Sequence, residues 1–129
     1  MPTSLLVTAA LFVVAGVLHF VIPRTYVGIM PSWLPAWLPS PLMLVYLSGV
    51  LEAVGGVGLL LPATRLAAAI GLIVLLAAVL PANVEMLRLA QARGASAPFV
   101  AALWLRLPLQ PLLMWWVWRV AHAGNDLSR

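Results

Sequence analysis

Between Ser4 and Val120 the chain carries four apolar stretches, each long enough to cross a bilayer as a helix, separated by short breaks of proline, glycine or polar residues. A hydrocarbon core about 30 Å thick needs roughly 20 apolar residues in helical form. Lipid offers the backbone no hydrogen-bond partners, so such stretches must satisfy their amides internally. The spacing predicts spans over 4–22, 41–61, 65–89 and 98–120. Composition agrees: 64% of the 129 residues are hydrophobic and 8% charged, against about a quarter charged in a water-soluble domain. The expectation is an all-α membrane protein, a four-transmembrane-helix bundle forming a single domain over 1–129. A Pro/Trp-rich interfacial segment, 23–40, joins the first two helices.

The net charge of +4 does not point to nucleic acid. All seven cations are arginines, and all but Arg106 lie near segment ends or the C-terminus, where membrane proteins place anchoring charges. Arg65, Arg119 and Arg129 share the face of the N-terminus. Arg24, Arg88 and Arg93 share the opposite one, so the positive-inside rule fixes no orientation. The first span lacks a basic leader and is long for a signal-peptide core, so it reads as a retained helix. There is no cysteine, which excludes thiolate, disulfide and iron–sulfur chemistry in this chain.

Residues 62–65 are too few for anything but a tight turn, making spans two and three an antiparallel hairpin. QARGASAP, 91–98, reads as a polar connection and HAGNDLSR, 122–129, as a polar tail. The segment MPSWLPAWLPSP, 30–41, sets Pro31, Pro35 and Pro39 four apart with Trp33 and Trp37 between them. Each internal proline removes an amide donor and clashes one turn back, so no ordinary helix forms there. Indoles favour the membrane–water interface. The segment therefore reads as a stiff cover lying at the interface.

Polar side chains within the spans are few and costly, and such groups face the bundle interior. Glu52 sits in the middle of the second span, with Ser48, Gly49, Gly55 and Gly56 on its helical face. His19 follows Ala15 and Gly16 by one turn. Asn83 follows Pro81, whose ring frees a carbonyl near Ala77. Glu85 lies about 200° round the helix from Asn83, so it is expected to pair locally with Arg88 or Arg24. Arg106 and Gln110 share a face at i, i+4 between expected kinks at Pro108 and Pro111. Arg106 is the deepest cation and the expected partner of Glu52. Counted from the side holding the loop, His19, Asn83, Arg106, Glu52 and Gln110 all fall in the same half of the bilayer. The two histidines are too far apart for a metal set or bis-histidine haem ligation.

The segments LHFVIPRTYVGIMPSWLP (18–35), LSGVLEAVGGVGLLLPATRLAA (47–68), PANVEM (81–86) and RLPLQ (106–110) occur in an order that resembles the DoxX-like family of small four-helix membrane proteins. The resemblance spans most of the chain. It implies His19, Glu52, Asn83, Arg106 and Gln110 as characteristic positions and gives them no catalytic role. It also implies association with membrane redox systems, some members being subunits linked to thiosulfate:quinone oxidoreduction.

The leading functional expectation is an intramembrane pocket for a quinone or bound lipid, in a protein acting as an accessory subunit. Glu52 and Arg106 form its charge pair, His19, Asn83 and Gln110 offer hydrogen bonds, and Tyr26, Trp33 and Trp37 shelter the entrance. The alternative is an assembly factor or interaction module with a membrane-protein partner or a second copy of itself. A membrane-embedded isomerase using Glu52 or His19 for proton transfer is a third reading. The expected location is a bacterial plasma membrane.

Overall fold

In the computed structural model, which describes residues 2–28, 30 and 34–127, the chain is all helical. The helices are α1 (Thr3–Val21), α2 (Pro23–Val27), α3 (Pro41–Leu60), α4 (Arg65–Ala92) and α5 (Ala97–Leu127). Four of them, all but the short α2, are long and apolar enough to cross a membrane. The four-span expectation is met, and most of the outer surface is apolar, with Leu11, Val54, Val74 and Leu105 among its exposed residues. That exposure fits helices whose outer faces meet lipid.

Helix ends follow local chemistry. Ser40 caps α3 by accepting from the Met43 amide at 3.3 Å, and Pro41 occupies the first turn, where its missing amide costs nothing. At the other end of α3 the exposed carbonyls are gathered by the turn that follows. The Thr64 hydroxyl donates to the Gly58 carbonyl at 2.9 Å. Arg65 donates through Nε to Leu59 at 2.7 Å and through Nη2 to Leu60 at 3.3 Å. Arg65 is 2% exposed. The sequence suggested a surface anchor here; the structure has a buried cation on a helix C-terminus, where charge and dipole agree.

The predicted tail is also helical. α5 continues to Leu127 because its last turns have something to pack on. Arg65 Nη1 reaches the Asn125 side-chain carbonyl at 3.4 Å. A β-carbon on Gly124 would lie 3.1 Å from both Arg65 Nη1 and Leu5 Cδ2. α4 and α5 both run through their internal prolines, Pro81, Pro108 and Pro111, without a break in the helix.

α1 packs chiefly on α3, α3 on α4, and α4 on α5, whereas α1 and α5 touch little. The α1–α3 seam is as tight as backbones allow. A β-carbon on Gly16 would stand 2.6 Å from the Gly49 carbonyl oxygen, and one on Gly49 would meet His19 Cβ at 2.7 Å. Small residues let the helices close to this distance, and packing in lipid depends on such contacts. The main core unites Leu5, Ala9 and Phe12 with Leu59, Ala69, Leu72, Val117, Val120 and Ala121. It fills the half of the bundle away from the loop. Toward the loop only Leu87, Ala90 and Leu103 form a second, smaller cluster between α4 and α5.

Candidate functional site

The loop-side half of the bundle, where the core thins, holds a cavity of about 250 Å³. Helical periodicity supplies its walls. Phe12, Ala15 and His19 form one stripe of α1, while Val45, Ser48 and Glu52 form one stripe of α3. α4 contributes Leu76, Val79 and Asn83, α5 contributes Arg106 and Gln110, and Tyr26 and Met30 close the loop side. Six of the eight residues singled out from sequence thus line one space: His19, Tyr26, Glu52, Asn83, Arg106 and Gln110. Trp37 is 82% exposed and is not among the walls. Trp33 lies outside the described residues. Among the described residues, Tyr26 of α2 and Met30 close the loop side and Trp37 does not, because the chain folds into a helical turn directly after α1. Leu34–Pro39 forms a separate turn closed by the Leu38 amide on the Pro35 carbonyl, 3.1 Å.

His19 is held from two sides. Its Nδ1 donates to the Ala15 carbonyl at 2.7 Å, one helical turn back. A carbonyl can only accept, so Nδ1 carries a proton in this contact and Nε2 is the nitrogen left over. The ring stacks on Tyr26 at 4.0 Å with 16° between planes, which fixes α2 over the cavity. Glu52 Oε2 lies 3.6 Å from His19 Nδ1. This corrects the expected Glu52–Arg106 pair: α1 and α3 are pressed together at Gly16 and Gly49, so the side chain beside the Glu52 carboxyl is the imidazole on the touching helix. Arg106 stands across the cavity on α5 and donates from Nη1 to Met86 Sδ at 3.4 Å.

The two amides form their own relay. Asn83 Nδ2 donates to Gln110 Oε1 at 3.0 Å, and Gln110 Nε2 donates to the Leu76 carbonyl at 3.0 Å. Pro81 loosens the helical ladder one turn N-terminal to itself. The carbonyl that Gln110 takes up is that of Leu76, next to the expected Ala77. Glu85 turns away from this set and pairs with Arg88 on its own helix. His122 sits far along α5, its Nδ1 against the Trp118 carbonyl at 3.0 Å.

Burial pushes the Tyr26 phenol above its ordinary pKa; the Glu52 carboxylate adds to that shift and the Arg106 guanidinium opposes it. Tyr26 thus feels both charges of the cavity and stays a neutral donor through physiological pH. Among the described residues no buried side-chain nitrogen or oxygen lacks a hydrogen-bond partner.

The structural roles of Thr8 and Arg65 escaped the sequence reading. Thr8 is buried and accepts from Trp116 Nε1 at 2.9 Å while donating to the Ser4 carbonyl at 2.6 Å. A lone threonine in an apolar run carries no signal of this. Arg65 resembled any segment-end arginine. Ser48, placed on the Glu52 face from the sequence, is a wall residue of the cavity.

Four helices long and apolar enough to cross a membrane define a multi-pass helical membrane protein. Residues 8–121 match a family described as Domain of unknown function (DUF8561), and the chain belongs to that family. No curated protein and no solved structure matches the chain.

Proposed function

We propose that the protein binds an apolar molecule with a polar head, a quinone or a lipid-like compound, in the loop-side cavity, and serves a membrane redox system as an accessory subunit. The observation that carries this reading is the convergence of polar side chains from all five helices on one largely apolar space. Ligand sites combine apolar walls with a few convergent polar groups in this way. Size supports a head-group site. Pockets for whole drug-sized molecules span about 300–1,000 Å³, so this cavity takes a ring or head group while an apolar tail runs out among the helices. The weak α1–α5 contact leaves room for such a tail on that side.

The resemblance of 18–35, 47–68, 81–86 and 106–110 to the DoxX-like family supports the accessory role and a bacterial plasma membrane as its location. His19, Glu52, Asn83, Arg106, Gln110 and Tyr26 are the proposed ligand contacts. Mass spectrometry of protein extracted in mild detergent tests the proposal. A quinone or lipid is expected at near one copy per chain. Absence of any such species, with no added quinone or lipid binding, overturns it.

A second reading, an interaction module for another membrane protein, is favoured by Trp37 alone, since an exposed indole outside the cavity has no task in ligand binding. Crosslinking in native membranes separates the two. A partner lost on Trp37→Ala and kept on Glu52→Gln favours docking.

A further inference from the structure

Resting on the ligand-binding reading above, we propose that the cavity selects a neutral head group carrying both a hydroxyl-type proton donor and an oxygen acceptor. It discriminates against anionic heads and against heads that can only accept.

Glu52 and Arg106 are the two strongest hydrogen-bonding groups of the site. Glu52 belongs to the α1–α3 wall and Arg106 to the α5 wall, and both face the same space. They form no ion pair: the Glu52 contact is His19 and the Arg106 contact is a thioether. A carboxylate accepts only and a guanidinium donates only. An occupant lying between them completes both by donating to Glu52 and accepting from Arg106.

The neighbouring groups reinforce this polarity. Asn83 and Gln110 spend their facing amides on each other and on the Leu76 carbonyl, so they compete weakly for the occupant. His19 Nδ1 is already taken by Ala15. Among the described lining residues Glu52 is thus the charged acceptor and Arg106 the charged donor, beside the neutral His19 Nε2, Asn83 Oδ1 and Tyr26 hydroxyl, and hydrogen bonds to charged groups are the stronger ones.

Charge balance then decides between head groups. With Glu52 as the carboxylate and His19 neutral, one carboxylate and one guanidinium leave the cavity without net charge. An anion would satisfy Arg106 but place like charge beside Glu52, where interactions between charges are weakly screened. A zwitterion would match both walls but would have to shed the hydration of two full charges in a mostly apolar space. An acceptor-only head, such as an ester or a quinone, satisfies Arg106 and turns a lone pair toward the carboxylate. A hydroxylated ester or a quinol satisfies both.

The test measures binding to purified protein in mild detergent by native mass spectrometry, using matched probes. One set is monoolein, methyl oleate, oleic acid and lyso-phosphatidylethanolamine; the other is a prenylated quinol and its quinone. Monoolein is expected to bind about tenfold or more tighter than methyl oleate, the worth of one hydrogen bond to a charged group, and the quinol similarly tighter than the quinone. Which of the two donor heads binds tighter identifies the natural class, lipid or quinol. Glu52→Gln should narrow each ratio and Glu52→Leu should bring it near one, while methyl oleate still binds both variants. Equal binding within either pair, or tightest binding of oleate or the zwitterion, overturns this inference and leaves the ligand-binding reading standing. If no probe binds the wild-type chain, the ligand-binding reading itself falls.

Discussion

Arg65 and Arg106 lie on neighbouring helices of one small bundle and have opposite surroundings. Arg65 is enclosed: its guanidinium holds the Leu59 and Leu60 carbonyls and the Asn125 side chain, and Leu5 packs beside it against Gly124. Arg106 is exposed, with a methionine sulfur as its hydrogen-bond partner. The contrast extends to the halves they occupy. Around Arg65 the four long helices share a continuous core. Around Arg106 the core gives way to a cavity with polar walls. A cation in a membrane is held either because protein groups saturate it or because the site keeps a place for something else. One half of this molecule does the first, and the ligand-binding proposal assigns the second to the other half.

The largest expected effect breaks the closed half. Arg65→Met removes the donors of two carbonyls at the end of α3, each costing roughly 1–3 kcal/mol when left unpaired, and loosens the last turn of α5. Thermal unfolding in detergent should show a loss of about 2–5 kcal/mol. Arg106→Gln should leave the unfolding midpoint nearly unchanged and weaken ligand retention. If the two substitutions destabilise equally, the division between structural and ligand-facing arginine is wrong.

The seam between α1 and α3 links the halves, since it presses His19 toward Glu52. Gly49→Val places methyl groups where even a β-carbon would stand 2.7 Å from His19 Cβ and 2.8 Å from the Gly16 carbonyl. Overpacking of this kind costs about 1–3 kcal/mol, and the helices must separate, carrying His19 away from Glu52. Gly71→Ala is the control, because nothing lies within 4 Å of its position; it should be neutral or slightly stabilising, as alanine is a better helix former by up to about 1 kcal/mol. Paired unfolding and ligand-binding measurements check both. A tolerated Gly49→Val would mean that the close helix approach does not support the site.

The sequence predicted the open half better than the closed one, for a physical reason. Polar residues in apolar spans stand out, and depth counted along each helix places His19, Glu52, Asn83, Arg106 and Gln110 at one level. Their pairing was harder to read. Glu52 takes its polar neighbour from the helix it touches, and which helices touch follows from Gly16 and Gly49 meeting, a relation between distant segments. The polar tail misled in the same way. Asn125 and Gly124 look like chain-end residues until Arg65, 60 positions earlier in the chain, is seen to need them. The cover was expected over 30–41, and of the described residues there Met30 alone lines the cavity. That Tyr26 joins it, with Trp37 left outside, depends on the sharp turn at Ile22 between α1 and α2.

The smallest expected effect tests how the closed half is sealed. α1 and α5 join there through a polar contact inside the apolar surface: Trp116 Nε1 donates to Thr8 Oγ, and Thr8 in turn donates to the Ser4 carbonyl. Trp116→Phe keeps an aromatic ring at the surface and deletes the donor. Thr8→Val keeps the volume and deletes the acceptor. Interhelical side-chain hydrogen bonds in membranes average about 0.6 kcal/mol in double-mutant cycles, so the coupling energy here should be near that figure. Ligand binding should be unchanged, because neither residue lines the cavity. A coupling near zero would leave the apolar contacts of Leu5, Ala9 and Phe12 with the last turns of α5 to hold the seam. A loss of ligand binding would show that the two halves are mechanically coupled, and that closing α1 onto α5 at one end helps set the width of the cavity at the other.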